Sequence, residues 1–187
     1  MRYLPNIITL GRLIAVPVTV YFILTGDLVA AFWLFVAAGV SDALDGAIAR
    51  LFDARTVLGG FLDPLADKAL LVSVYVSLAN VGLLPLWLVI LVVFRDLLII
   101  GGVLLAYTLR QPVTVRPLFI SKVNTVAQIA LAALVLAVNG PGLPNPVVFG
   151  TSLSGLLGLV VAATTVLSGA VYLVRSELLF GGPERLS

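Results

Sequence analysis

Long apolar stretches separated by short polar breaks make up most of this chain. Each stretch approaches or exceeds the ~20 residues that an α-helix needs to cross a lipid bilayer. Glycine, proline, asparagine and charged residues mark the breaks. The pattern predicts an all-α, polytopic membrane protein with six transmembrane helices, folded as a single domain over residues 1–187. The predicted spans are residues 7–25, 28–50, 57–79, 83–108, 118–139 and 151–174.

The composition supports a membrane protein and limits its chemistry. Hydrophobic residues make up 61% of the chain and charged residues 11%, whereas a soluble domain has roughly 25% charged residues. Histidine and cysteine are both absent, which removes the commonest acid–base residue and all thiol chemistry. Any catalysis must therefore use carboxylates, arginines, lysines and metal ions.

Lysine and arginine are concentrated on one side of the predicted layout. The connections around residues 26–27, 80–85 and 139–150 contain neither. The other side and the termini carry Arg2, Arg12, Arg50, Arg55, Lys68, Arg110, Arg116, Lys122, Arg175 and Arg185. By the positive-inside rule, both termini face the cytoplasm. With no transit-peptide pattern, this predicts a multi-pass protein of the bacterial cytoplasmic membrane.

Four of the nine acidic residues stand in one fixed frame, D-A-L-D-G-A-I-A-R-L-F-D-A-R-T-V-L-G-G-F-L-D-P-L-A-D. The spacing of Asp42 and Asp45, and of Asp63 and Asp67, places each pair near one face of its helix. A short turn joins the two helices, which predicts antiparallel neighbours with four carboxylates around one small volume. Such oxygens suit Mg²⁺ or Mn²⁺, and two such ions can clamp a phosphoryl group.

Small residues and an arginine accompany the aspartates. Gly46, Ala49 and Gly59 leave room for a ligand to approach the backbone. Arg50 has the fork of donors that grips a phosphate. This end of the predicted bundle lies on the basic side, so we expect a site open to the cytoplasm.

Spacing alone leaves two other interpretations open. The aspartates could form a salt-bridge cluster with Arg50, Arg55 and Lys68. They could also line a proton or cation pathway, as in a small transporter or channel, because such pathways use acidic residues inside the membrane.

The frame matches the pattern D-x2-D-G-x2-A-R-x8-G-x3-D-x3-D at every fixed position. The matching residues are Asp42, Asp45, Gly46, Ala49, Arg50, Gly59, Asp63 and Asp67. This stretch resembles the signature of the CDP-alcohol phosphatidyltransferase family. A match of eight fixed residues with fixed gaps is highly specific, and it argues against the ion pathway. The six-span layout extends the resemblance over nearly the whole chain.

The resemblance implies an enzyme of phospholipid synthesis that acts among membrane lipids, usually as a homodimer, with no nucleic-acid partner. It implies CDP-diacylglycerol as the donor, CMP as the leaving group, and two divalent cations, Mg²⁺ or Mn²⁺, held by the four aspartates. Asp67 is also implied as the base that deprotonates the acceptor hydroxyl. The implied donor-binding residues are Gly46, Ala49, Arg50, Gly59, Asn6 and Thr9.

The signature does not specify the acceptor alcohol. Residues 116–128, R-P-L-F-I-S-K-V-N-T-V-A-Q, resemble a segment of eukaryotic-type cardiolipin synthases. Bacterial phosphatidylglycerophosphate synthases carry a similar segment with a second lysine at the position of Asn124. Losing that cation suits phosphatidylglycerol, a monoanionic diester, better than the dianionic glycerol-3-phosphate. We therefore predict phosphatidylglycerol as acceptor and cardiolipin as product, with glycerol-3-phosphate as the alternative. The predicted acceptor-binding residues are Arg95, Arg110, Arg116, Lys122 and Asn124.

Structural roles remain open for some of these residues. Arg116 and Lys122 stand at a helix end, where basic residues commonly anchor a helix at the membrane surface. Arg95 and Asp96 could form a buried structural pair. An arginine in mid-span is costly, however, and an acceptor pocket is one reason to keep it there.

Overall fold

Six α-helices make up most of the residues that the structure describes, which confirms the predicted all-α class. The computed structural model describes residues 4–51, 57–108, 119–148 and 150–180, with side chains for 11, 13–41, 68–102, 119–148 and 150–172. The helices are α1 (Leu4–Thr25), α2 (Leu28–Leu51), α3 (Val57–Asn80), α4 (Leu86–Thr108), α5 (Phe119–Asn139) and α6 (Leu153–Phe180). Their bounds agree with the predicted segments to within a few residues, except that α6 runs further.

Two helical stretches within the described residues have the length and apolar composition needed to cross a membrane. They are Phe119–Asn139 and Leu153–Tyr172. Shorter apolar helical stretches occur at Leu13–Thr25, Leu28–Ser41 and Lys68–Asn80. Six helices are therefore present, while the six-span arrangement remains a prediction.

The surface and the interior of the bundle both differ from those of a typical soluble protein. Large apolar side chains such as Trp33, Phe94 and Val126 are exposed on the outside of the bundle. Arg95 and Asp96, by contrast, are buried inside it. Charged residues are almost never fully buried in soluble proteins, and broad apolar surfaces are rare on them. This arrangement fits a bundle that is surrounded by lipid.

The helices pack so that α3, α4, α5 and α6 enclose a common interior. Among the described residues, α3 contacts α4 and α5, and α6 contacts α4 and α5. The inward face of α5 repeats with helical spacing through Asn124, Gln128, Leu131 and Val135, all of which are buried. This face is polar near the start of α5 and becomes apolar further along the helix, where it joins the core.

Turns at the other end of the bundle use glycine and a capping side chain. Gly26 adopts φ 84° between α1 and α2, a conformation that glycine tolerates without strain. Asp27 then caps α2, because its Oδ1 accepts a hydrogen bond from the Ala30 amide at 3.1 Å.

The connection between α5 and α6 contains regular structure of its own. Two short antiparallel strands, β1 (Val147–Val148) and β2 (Thr151–Ser152), pair with Val147 opposite Ser152. Gly150, at φ 77°, provides the turn between them. The sequence offers too few alternating residues there to predict a strand.

Gly140 packs the end of α5 directly against the start of α2. A Cβ at this position would stand 2.5 Å from the Leu28 carbonyl oxygen and 2.9 Å from the Leu136 carbonyl oxygen. Both are backbone atoms and cannot rotate away. We therefore expect Gly140→Ala to lower the free energy of unfolding by about 2 kcal/mol, measured by denaturant titration in detergent micelles.

Gly39→Ala is the matched control for this prediction. Gly39 lies within α2, and a Cβ there meets no atom within 4 Å. The change should be neutral or stabilise the protein by up to about 1 kcal/mol, because alanine favours a helix over glycine. Equal stability of the two variants would contradict the packing of Gly140 on α2.

Candidate functional site

The signature aspartates lie on two helices that both pack against α1. Asp42 and Asp45 are in the second half of α2, and Asp63 and Asp67 are in the first half of α3. Contacts of the described residues join α1 to both helices. The side chains of the four aspartates lie outside the described ones. Their roles as metal ligands, and that of Asp67 as base, therefore stay predictions.

The predicted donor-binding residues also lie on these three helices. Asn6 and Thr9 are on α1, Gly46, Ala49 and Arg50 on α2, and Gly59 on α3. Their side chains are likewise outside the described set. Among the side chains that are described, no group of three or more acidic, histidine or cysteine residues is placed to hold a metal.

Directly after the signature, α3 enters a group of buried polar side chains. Lys68 Nζ donates to Asp96 Oδ2 at 2.6 Å, and Arg95 Nη1 donates to Asp96 Oδ1 at 2.8 Å. Arg95 and Asp96 are each 4% exposed. Buried charges are costly unless they are paired. Asp96 compensates two cations at once, and the three residues together keep one net positive charge.

Two serines hold the other side of the Arg95 guanidinium. Arg95 Nη2 donates to Ser121 Oγ on α5 at 2.7 Å, and it also donates to Ser168 Oγ on α6. The planar fork of an arginine can serve several acceptors at once, which a lysine cannot match. Arg95 therefore joins α4 to α5 and α6, while Asp96 extends the network to α3.

Asn124 continues the buried polar face about one turn further along α5. Its Oδ1 accepts hydrogen bonds from Thr164 Oγ1 at 2.9 Å and from Thr165 Oγ1 at 2.8 Å, both on α6. Gln128, on the next turn, is fully buried, and its backbone carbonyl accepts a hydrogen bond from the Tyr75 hydroxyl at 3.0 Å. These bonds tie α5 to both α6 and α3.

We call this group the polar cluster. Its members are Lys68, Arg95, Asp96, Ser121, Asn124, Gln128, Thr164, Thr165 and Ser168. Several of its buried atoms have no hydrogen-bond partner among the described residues: Arg95 Nε, Asn124 Nδ2, and Gln128 Nε2 and Oε1. An unpartnered buried polar group costs about 1–3 kcal/mol. The cluster therefore has hydrogen-bonding capacity for a polar group that is not among the described side chains.

The structure brings together two of the five predicted acceptor-binding residues. Arg95 and Asn124 are both buried in the polar cluster. Lys122 lies exposed on another face of α5. Arg110 and Arg116 lie outside the described residues. The Arg95–Asp96 pair, which the sequence offered as a structural alternative, is present.

Several members of the cluster were not predicted from the sequence as site residues. Thr164, Thr165 and Ser168 on α6 were overlooked, and Lys68 was considered only as a salt-bridge partner of the signature. The hydroxyl residues do carry a signal, because they recur at helical spacing within an otherwise apolar helix. Polar side chains in such a helix mark its inward face.

Comparison with known proteins assigns the chain to a family. Residues 2–171 match the family model described as CDP-alcohol phosphatidyltransferase. The match covers most of the chain, and the chain belongs to this family. The resemblance expected from the signature is thereby confirmed.

Individual relatives carry two kinds of name, cardiolipin synthase and glycerol-3-phosphate 3-phosphatidyltransferase. The chain is 37% identical over 180 residues to a probable cardiolipin synthase (CMP-forming) of Drosophila melanogaster, covering 86% of this chain and 55% of the relative. It is 39% identical over 150 residues to the human cardiolipin synthase (CMP-forming), covering 72% and 50%. It is 37% identical over 188 residues to a chloroplastic CDP-diacylglycerol–glycerol-3-phosphate 3-phosphatidyltransferase of rice, covering 90% and 56%. The chain thus spans about half the length of these relatives.

The predicted location in a bacterial cytoplasmic membrane, with termini and site facing the cytoplasm, is wrong. Relatives named cardiolipin synthase come from fly and human, organisms that have no such membrane. The physical reason is that the positive-inside rule orients a chain across a membrane but does not identify the membrane. Association with a membrane, supported by the apolar outer surface, is what remains.

Proposed function

We propose that this chain transfers the phosphatidyl group of CDP-diacylglycerol to phosphatidylglycerol, forming cardiolipin and CMP. The observation that carries the proposal is the complete eight-residue signature on α2 and α3 in a chain that belongs to the family. The family uses CDP-alcohol donors and alcohol acceptors. We further propose that residues 1–187 form one domain with six membrane spans that acts as a homodimer.

The donor set fits the divalent metals that the family uses. Carboxylate oxygens are the ligands that Mg²⁺ and Mn²⁺ prefer, and Asp42, Asp45, Asp63 and Asp67 provide four such groups on adjacent elements of the chain. Lys68, one of the three cations in the salt-bridge alternative, donates to Asp96 on α4 and so has an acidic partner outside the signature. Two bound divalent ions would neutralise the diphosphate and make CMP a better leaving group.

The chain's own residues would carry the remaining steps. Asp67 would accept the proton of the acceptor hydroxyl. The hydroxyl oxygen would meanwhile form a bond to the phosphorus on the diacylglycerol side. The bond from that phosphorus to the bridging oxygen breaks, and CMP departs with the electron pair. Arg50 would bind the nucleotide phosphate by charge-assisted hydrogen bonds. The reaction is a direct displacement and needs no cysteine or histidine nucleophile.

The polar cluster supports an anionic acceptor that carries little charge. Lys68, Arg95 and Asp96 leave one net positive charge, and Asn124 adds none. That balance suits the single negative charge of a phosphodiester such as phosphatidylglycerol. Glycerol-3-phosphate, the acceptor in the name of the rice relative, brings a dianion and stays the second candidate.

One assay tests both the reaction class and the acceptor. The purified chain of residues 1–187, in mixed micelles, receives CDP-diacylglycerol and Mn²⁺, with phosphatidylglycerol, glycerol-3-phosphate or no acceptor in separate reactions. Released CMP and the lipid product are both identified. We expect CMP release with phosphatidylglycerol, accompanied by cardiolipin. A phosphatidylglycerophosphate product from glycerol-3-phosphate alone would assign the second acceptor. No CMP release with any alcohol, together with metal flux in vesicles, would assign a transporter instead.

Asn124→Lys tests the charge argument for the acceptor. A third cation in the polar cluster, beside Lys68 and Arg95, should raise the ratio of activity with glycerol-3-phosphate to activity with phosphatidylglycerol about tenfold. The ammonium would replace a fully buried amide that accepts from Thr164 and Thr165. The variant should therefore also be less stable, and the activity ratio must be measured on the folded protein.

Val123→Lys is the control for this variant, because it adds the same charge to the same turn of α5 on an exposed face. It should leave the acceptor ratio unchanged. An unchanged ratio in Asn124→Lys as well would mean that charge at position 124 does not select the acceptor.

A further inference from the structure

Asp96 belongs to a hydrogen-bond network that joins three helices. Its Oδ1 accepts from Arg95, whose other terminal nitrogen is held by Ser121 on α5 and Ser168 on α6. Both charged residues are almost completely buried. The position of the Asp96 carboxylate is therefore set by α4, α5 and α6 together.

Helix α3 is attached to this network at two points on one face. Lys68 reaches Asp96 at 2.6 Å, and the Tyr75 hydroxyl reaches the Gln128 carbonyl oxygen at 3.0 Å. Lys68 and Tyr75 are seven residues apart, which is about two helical turns and places them on the same side of α3. Two attachments on one face fix both the rotation and the axial position of the helix.

The first attachment adjoins the signature. Asp67 directly precedes Lys68, and in a regular helix positions 63 and 67 lie roughly 100–140° around from the attached face. A rotation of α3 by about 20° would displace these positions by roughly 1 Å. Metal and catalytic sites tolerate only about 0.5 Å of misplacement. Losing the attachment at Lys68 could therefore move Asp63 and Asp67 further than a metal site tolerates.

We propose that Lys68 and Asp96 are positioning residues for the metal-holding carboxylates of α3. They set the rotation and register of the signature-bearing end of α3 against the α4–α5–α6 interior. This proposal rests on the proposed function of Asp63 and Asp67 as metal ligands. Lys68 and Asp96 themselves touch neither metal nor substrate in this role, and they act through the backbone of α3.

A double-mutant cycle tests the proposal. Lys68→Met keeps the aliphatic stem without the charge, and Asp96→Asn keeps the shape of the side chain. Each change should weaken Mn²⁺ binding about tenfold, a typical cost of losing a group that supports metal ligands. Because both changes break the same link, the double variant should bind Mn²⁺ no more weakly than the weaker single variant. Mn²⁺ binding is measured by electron paramagnetic resonance of free Mn²⁺, with and without CDP-diacylglycerol. CMP release and the melting temperature are measured on the same variants.

Two further variants serve as controls. Lys68→Arg preserves the ion pair and should bind Mn²⁺ within about twofold of the wild type. Asp27→Asn makes the same chemical change as Asp96→Asn, at the N-terminal cap of α2. Asp27 lies roughly 27 Å along α2 from Asp45, so Mn²⁺ binding should not change there.

Three results would overturn the proposal. In the first, Asp96→Asn weakens Mn²⁺ binding by the same factor in the wild type and in Lys68→Met. That result would mean that Asp96 acts only as the partner of Arg95. Tighter Mn²⁺ binding in Lys68→Met would mean that the ammonium acts by charge and not by position. A lower melting temperature with unchanged Mn²⁺ binding would mean that the pair is purely structural.

Two safeguards keep the outcome decisive. If Asp96→Asn does not fold, the comparison of Lys68→Met with Lys68→Arg carries the test, because Asp96 then keeps its bond to Arg95. Equal Mn²⁺ binding by those two variants contradicts the proposal. Absence of CMP release by the wild-type chain would count against the proposed function, while Mn²⁺ binding still reports on the positioning role.

Discussion

Replacing Asp67 with asparagine is expected to lower the rate of CMP release by about 10³-fold or more, because a general base contributes roughly 10²–10⁴-fold. The amide cannot take the proton of the acceptor hydroxyl, and it weakens the negative charge offered to a metal ion. Some binding of metal and nucleotide should survive, since Asp42, Asp45 and Asp63 remain. The rate is measured by chromatography of released CMP, and nucleotide binding by equilibrium titration with CMP and Mn²⁺.

Asp27→Asn again provides the control for this loss. The asparagine oxygen can still cap α2 through the Ala30 amide, so both folding and turnover should match the wild type. Full activity of Asp67→Asn would exclude Asp67 as the base. Loss of nucleotide binding as severe as the loss of rate would assign Asp67 to donor binding alone.

Replacing Arg95 with methionine is expected to lower the free energy of unfolding by about 3–5 kcal/mol, the usual cost of breaking a buried ion pair. Asp96 would keep only Lys68 as a cationic partner, and Ser121 and Ser168 would lose their shared donor. The measurement is denaturant-induced unfolding in detergent micelles, followed by circular dichroism.

Lys122→Met separates the effect of Arg95 from a general loss of positive charge. Lys122 is exposed on another face of α5, and surface changes of this kind usually cost less than about 0.5 kcal/mol. A similar small cost for Arg95→Met would mean that the guanidinium does not hold α4, α5 and α6 together. Its predicted role in direct acceptor binding would then be the better explanation for an arginine at this depth.

The helices could be predicted from the sequence because each is a local property of the chain. A predicted segment at 28–50 became the helix Leu28–Leu51, and a break at residues 26–27 became a glycine turn with an aspartate cap. The signature could be predicted for the same reason, since its residues lie within one short stretch. The loop before α6 was less predictable, because its two strands are only two residues long.

The polar cluster could not be predicted, because its members meet across long distances in sequence. Arg95 and Ser168 are 73 residues apart, and Asn124 and Thr165 are 41 apart. A serine or threonine in an apolar helix shows only that some face points inward. Which residue it meets depends on how the helices rotate and slide against one another.

For this protein, the sequence by itself determined the helical segments, the family signature and the class of reaction to expect. These follow from short-range patterns: apolar runs of sufficient length, breakers between them, and eight residues with fixed gaps. Only the tertiary structure decided that Lys68 faces Asp96, that Arg95 is held by two serines, and that Asn124 is buried while Lys122 is not. The reason is that packing in a lipid surrounding turns charged and polar side chains inward, where helix contacts that no local pattern records decide which of them pair.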